Sequence, residues 1–267
     1  MKSLIDVKLL AAVAIFGFSI GSAQVGAVPA LNDFTIDESS VEGNGGNVVA
    51  DKLNGSYTEV VTFGLGTFDT VAFGDFSALL DNDGQDVLAN TELGDTYGMY
   101  ALFSGAGTFG PVGPGITQFT FSSATFSLYI DPGFDGVGGT QTTKSLPAAA
   151  PGAVTLGGDG DDYLIASANI ISSGSGILVA GVGGFFDLVF EDFTLTNPDG
   201  TNYFIDPNPF HLRVNVDGDF DSFTPTGTQS INGDFSAVFV PEPGSIALLG
   251  LGLAGLGGMM RRRKLSC

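Results

Sequence analysis

The feature that most constrains this chain is an alternation of apolar and polar side chains that recurs along its middle. It is cleanest at residues 210–217, where Phe210, Leu212, Val214 and Val216 alternate with His211, Arg213, Asn215 and Asp217. Successive side chains of a strand point to opposite faces, so the pattern gives one apolar and one polar face, as in a half-buried antiparallel strand. Similar runs lie at residues 56–63, 118–130, 163–171, 185–195 and 234–240. Turn-forming clusters separate them, such as Asn44-Gly45-Gly46, Asp131-Pro132-Gly133 and Asn197-Pro198-Asp199-Gly200. Gly accepts positive φ, Pro presets φ, and Asn and Asp bond their own backbone. No amphipathic helix of ordinary length is present; residues 75–80 read as a single helical turn at most. Residues 133–158, rich in Gly, Thr, Ala and Pro, read as a long loop. No fixed-period repeat supports a solenoid. The expectation is an all-β fold, an antiparallel β-sandwich or jelly-roll-like domain over residues 28–240.

Composition narrows what such a domain can do. The one cysteine is Cys267, so residues 28–240 hold no disulfide, thiol nucleophile or thiolate metal site. That stretch carries 27 acidic residues against three basic ones, Lys52, Lys144 and Arg213, a net charge of −24. Nucleic acid and anionic lipid are therefore poor partners, whereas cations and cationic or neutral polymers suit it. The same charge keeps a protein soluble with no ligand at all.

Both ends of the chain read as processing segments. Lys2 and Lys8 precede or border an apolar run over residues 9–20, followed by Gly21, Ser22, Ala23, Gly26 and Ala27. This is the layout of a secretory signal peptide over residues 1–27, with cleavage after Ala23 or after Ala27. At the other end, residues 241–267 read as a three-part tag. Pro241, Glu242 and Pro243 come first, then an uncharged run over residues 245–260, then Arg261, Arg262, Arg263 and Lys264. As a helix that run would reach about 24 Å, slightly short of a bilayer core of about 30 Å. The basic cluster acts as the membrane stop and stays cytoplasmic by the positive-inside rule.

The tail resembles the PEP-CTERM sorting signal of Gram-negative bacteria. The resemblance implies recognition by an exosortase at Pro241, Glu242 and Pro243, transient insertion of the precursor in the inner membrane, and release or transfer to the cell surface or extracellular matrix. A second resemblance lies in Asp33-Phe34-Thr35-Ile36-Asp37-Glu38-Ser39-Ser40-Val41, which leads into residues 50–60. This stretch is similar to the start of flocculation-associated PEP-CTERM proteins. That likeness implies a surface or matrix protein that helps cells aggregate within extracellular polysaccharide, and it supplies no catalytic residues.

Three Asp clusters are the candidate cation ligands, with Ca²⁺ as the one cofactor they suit. Residues 157–164 fit one copy of a Ca²⁺-binding nonapeptide pattern, with Asp159, Asp161 and Asp162. Such sites need stacked copies, so one copy reads first as an acidic turn. Asp217, Asp219 and Asp221 have the spacing of an EF-hand loop, but Ser222 and Thr228 stand where Gly and Glu are required. Asp81, Asp83 and Asp86 surround Gly84 in the third cluster. His211, the single histidine, is expected on the polar face of its strand beside Arg213, and no G-x-S-x-G motif accompanies it. The reading is an exported, non-enzymatic matrix protein whose partners are exosortase, exopolysaccharide and copies of itself. A Ca²⁺-dependent carbohydrate-binding adhesin and a secreted hydrolase are the alternatives.

Overall fold

The computed structural model describes residues 31–41, 45–137 and 139–240. The expectations for residues 1–27 and 241–267 lie outside the described residues, including Pro241, Glu242, Pro243, Arg261, Arg262, Arg263 and Lys264.

The first half of the chain forms β1 (Phe34–Asp37), β2 (Asn47–Ala50), β3 (Lys52–Phe63), β4 (Thr67–Asp81), β5 (Asp86–Val87), β6 (Gly98–Gly113) and β7 (Ile116–Asp131). The second half forms β8 (Thr143–Ser145), β9 (Thr155–Gly157), β10 (Tyr163–Ala168), β11 (Ile171–Val179), β12 (Gly183–Phe190) and β13 (Thr194–Leu195). It ends with β14 (Phe204–Asp206), β15 (Arg213–Phe220) and β16 (Thr228–Val240). A 3₁₀ turn at Glu38–Ser40 and the five-residue α1 (Asp199–Tyr203) complete the elements. All pairings between these strands are antiparallel, so the all-β antiparallel expectation holds.

Eight strands follow one another as β11-β12-β15-β16-β3-β4-β6-β7, and β7 pairs back onto β11. The ladder therefore closes into a ring. β7 makes the closure because its length lets it serve two partners. Its first residues pair with β11, from Ile116↔Val179 to Thr120↔Ser175, and its last with β10, from Phe126↔Ala168 to Ile130↔Tyr163. Closure removes edges that two open sheets would leave as templates for aggregation.

Alternation decides which side chains enter the ring. Tyr57 of β3, Leu188 of β12, Val216 of β15 and Phe235 of β16 share one buried core. Small residues make room for the rings. A Cβ on Gly74 would lie 2.6 Å from the Phe235 ring, so β4 can pass this close only as glycine.

A separate sheet, β14-β1-β2, sits against this core. Phe34 and Phe239 rings meet edge to face at 4.9 Å, and Phe204, Phe210 and Phe193 complete the cluster. Such pairs add about 0.5–1.5 kcal/mol beyond area burial. In the 3₁₀ turn that follows β1, buried Glu38 accepts hydrogen bonds from the Tyr97 hydroxyl at 3.0 Å and the Glu92 amide at 2.9 Å. The Tyr97 and Tyr203 hydroxyls are 2.7 Å apart.

Two local expectations change. Residues 75–80 continue β4 as strand rather than turning as helix. The long segment over residues 133–158 contains the β8-β9 hairpin and packs on the outside of the ring, where Ala150 joins Val60 and Val71 in a small buried cluster. Lys144 fastens it, with Nζ 2.9 Å from Asp75 and 4.6 Å from the centre of the Tyr100 ring.

Candidate functional site

The first candidate is an acidic junction at the mouth of the β4-β5 turn. Asp33 immediately precedes β1, Asp51 links β2 to β3, and Asp81 ends β4. Each offers a carboxylate oxygen, and the three oxygens lie within 4.8 Å of one another. Asp51 is 1 % exposed. Its Oδ2 accepts from the Gly84 amide at 3.1 Å, while its Oδ1 is buried without a hydrogen-bond partner. Burial pushes the Asp51 carboxyl above its ordinary pKa; the Gly84 and Asp83 amides oppose this, and Asp81 and Asp33 reinforce it. The backbone reaches this arrangement through left-handed conformations at Asn82, Asp83 and Gly84 (φ 57°, 60° and 71°), which Asn, Asp and Gly tolerate best. Of the Asp cluster around Gly84, only Asp81 joins the junction. Asp83 accepts from the Leu31 amide at 3.0 Å and Asp86 from the Asn82 side chain at 3.0 Å. Sequence spacing missed Asp33 and Asp51 because strand pairing brings them to Asp81 from far along the chain.

The second candidate is inside the ring. A cavity of about 90 Å³ is lined largely by aromatic side chains, among them Phe68, Phe103, Phe119 and Phe186. Glu59 of β3 points into it and accepts a short hydrogen bond from the Thr70 hydroxyl of β4. Burial pushes the Glu59 carboxyl up to about 7, against the Thr70 bond. Among the described residues that line this cavity, Glu59 is the one carboxylate.

The third is a groove on the outer wall, lined by Val182, Phe185, Asp219, Asp221, Asn232 and Asp234. Phe185 is 59 % exposed and shares the groove with the carboxylates of Asp219, Asp221 and Asp234. The sequence-nominated Asp residues divide between places. Asp219 and Asp221 line this groove, and Asp217 lies on β15 opposite Asp187. Burial raises the Asp217 pKa, with Lys52 acting against it and Asp187 with it.

Asp159 is exposed. Asp161 accepts from the Thr140 amide at 3.3 Å. Asp162 accepts from the Tyr100 hydroxyl at 2.5 Å and the Thr142 hydroxyl at 2.8 Å, which anchors the long outer segment. His211 precedes β15 instead of lying within it, and its Nε2 is buried without a hydrogen-bond partner. Burial lowers its pKa, and Asp206 opposes that shift.

The fourth feature is the segment that follows β16. A family model for the PEP-CTERM protein-sorting motif matches residues 239–264. The chain carries a PEP-CTERM sorting motif. No curated protein and no solved structure matches the chain. The motif implies exosortase-dependent export, with transient membrane anchoring before surface localisation. Its first two residues, Phe239 and Val240, are the last two of β16, so the match to the sorting motif begins within the last strand of the ring. No helix among the described residues is long and apolar enough to cross a membrane.

Proposed function

We propose that the protein is a non-enzymatic component of a Gram-negative extracellular matrix that promotes flocculation by holding exopolysaccharide on its outer wall. The observation that carries this reading is the junction of sorting motif and β16: what exosortase handles is an entire acidic ring delivered to the outside. The groove beside β15 and β16 supplies the contact. Phe185 offers a face on which a sugar ring can stack, and Asp219, Asp221 and Asp234 offer hydrogen-bond acceptors for hydroxyls. Among the described residues that line the interior cavity, Glu59 is the one carboxyl in a largely aromatic wall.

Deletion of the coding sequence followed by complementation tests this. Restored settling and matrix polysaccharide retention with the full chain, and failure of both with Phe185→Ser at equal surface abundance, is the expected result. Equal flocculation with and without the protein would overturn the reading.

A further inference from the structure

We propose that Asp33, Asp51 and Asp81 together bind one Ca²⁺ ion, which clamps the β14-β1-β2 sheet to the start of β3 and the end of β4. This goes beyond the role in flocculation and does not depend on it.

Three observations support the site. Carboxylate oxygens from Asp33, Asp51 and Asp81 converge within 4.8 Å. Ca²⁺ holds oxygens at about 2.3–2.6 Å, so ligands on one ion stand up to about 5 Å apart, and this spacing fits. Second, Asp51 is 1 % exposed and keeps Oδ1 with no hydrogen-bond partner. A buried carboxylate oxygen left unpaired is costly, and metal coordination is one of the few ways to compensate it. Third, among the described residues no ion pair serves the cluster, although the Lys52 side chain passes beside Gly84. The two ion pairs among the described residues are Lys144–Asp75 and Arg213–Glu191, both elsewhere. Lys52, next in sequence to Asp51, makes no ion pair among the described residues, and its charge acts on Asp217.

The ligand chemistry selects the ion. All three donors are hard carboxylate oxygens, with no His or Cys among them, which disfavours transition metals. One ligand is fixed in a buried link and another, Asp33, is exposed on the segment leading into β1, so the site can adjust around an ion. Ca²⁺ accepts such irregular coordination and completes it with carbonyls and water, whereas Mg²⁺ demands near-ideal octahedral geometry. The affinity expected for an extracellular site of this kind is on the order of 10⁻⁴ M.

The ion would add a polar tie between segments that already share the buried core through Phe34, Ala50 and Leu79. Asp33 leads into β1, whose Phe34 anchors the aromatic cluster, and Asp81 begins the turn whose Gly84 amide reaches back to Asp51.

The test uses the purified full chain, stripped with EGTA and titrated with CaCl₂ by calorimetry at about 150 mM NaCl, which screens diffuse binding to the acidic surface. The expected result is one saturable site, a thermal midpoint that rises with Ca²⁺ and much less with Mg²⁺, and at least about tenfold weaker binding in Asp33→Asn and Asp81→Asn. In EGTA both variants should unfold at or above the wild-type temperature, because each removes a like charge from an empty cluster; that separates loss of binding from loss of folding. Absence of saturable Ca²⁺ binding at concentrations up to about 10 mM, above the range typical of extracellular sites, would overturn the proposal. So would wild-type affinity in both variants, which would place the bound ion elsewhere on the acidic surface.

Discussion

Thr70 on β4 donates its hydroxyl hydrogen to the Glu59 carboxyl on the neighbouring strand β3, inside a ring walled by phenylalanines. The bond gives a lone interior acid one polar partner. It does not offset the desolvation that burial imposes, and the carboxyl stays largely neutral up to about pH 7.

Stability should therefore fall as pH rises. The folded Glu59 titrates at about 7 against an ordinary value of 4.5, so the folded state holds a proton that the unfolded chain has released across that window. The contribution is fully present below pH 4.5 and is lost as pH passes through 7, at a cost of about 1–3 kcal/mol. Urea midpoints at pH 5 and pH 8 measure it. Glu59→Gln, which keeps an oxygen for Thr70 and does not titrate, should narrow the gap between the two by that amount. An unchanged gap would remove Glu59 from the account.

Tyr97→Phe should destabilise the protein by about 1–3 kcal/mol, because it leaves Glu38 with the Glu92 amide and removes the partner of the Tyr203 hydroxyl in a buried setting. The same substitution at Tyr129, which is half-buried and stacks on Tyr100 through its ring, should cost well under that. Denaturant unfolding of the two variants side by side gives the comparison.

Gly74→Ala should cost about 1–3 kcal/mol through overpacking, since the new methyl meets the Phe235 ring at 2.6 Å. Pairing it with Phe235→Leu should recover part of the loss, and a double-mutant cycle reads the coupling directly. Additive effects would mean that the close approach is relaxed by some other movement.

Pro241→Ala together with Pro243→Ala should hold the precursor in the membrane fraction, while the ring itself unfolds at the wild-type denaturant concentration. The intact mass of protein recovered from the cell exterior checks the wild type: a chain ending near Pro243 is the expected product. Recovery of wild-type protein that retains residues 245–267 would show a permanent anchor.

Alternation made β3, β7 and β16 legible. Residues 56–63, 118–130 and 234–240 fall within β3, β7 and β16, because bulky apolar residues there face a core on one side and water on the other. β4 and β6 were unreadable. Gly74, Ala101 and Gly105 stand where large residues would be expected, since the opposite wall fills the ring with Phe, and Val71 faces outward yet is buried by the long outer segment. Phe210 and Leu212 alternate with polar neighbours like strand residues but lie before β15 begins; Phe210 packs against Phe204 and Phe239 under the small sheet. Ring closure was equally hidden, because it depends on one strand pairing with two others at different points along its length. The acidic junction escaped for the same reason: no local spacing connects Asp33, Asp51 and Asp81.

Val240 pairs with Arg213 in the ladder, Phe239 is 1 % exposed, and Pro241 is the next residue. Five residues on, at Ser245, the apolar run begins, a span of at most about 17 Å of extended chain. The folded wall is thus moored on a very short leash. In the sequence the triplet therefore follows directly on the last rung of the ladder. The strand that takes its place between β15 and β3 thus also carries the start of the sorting motif.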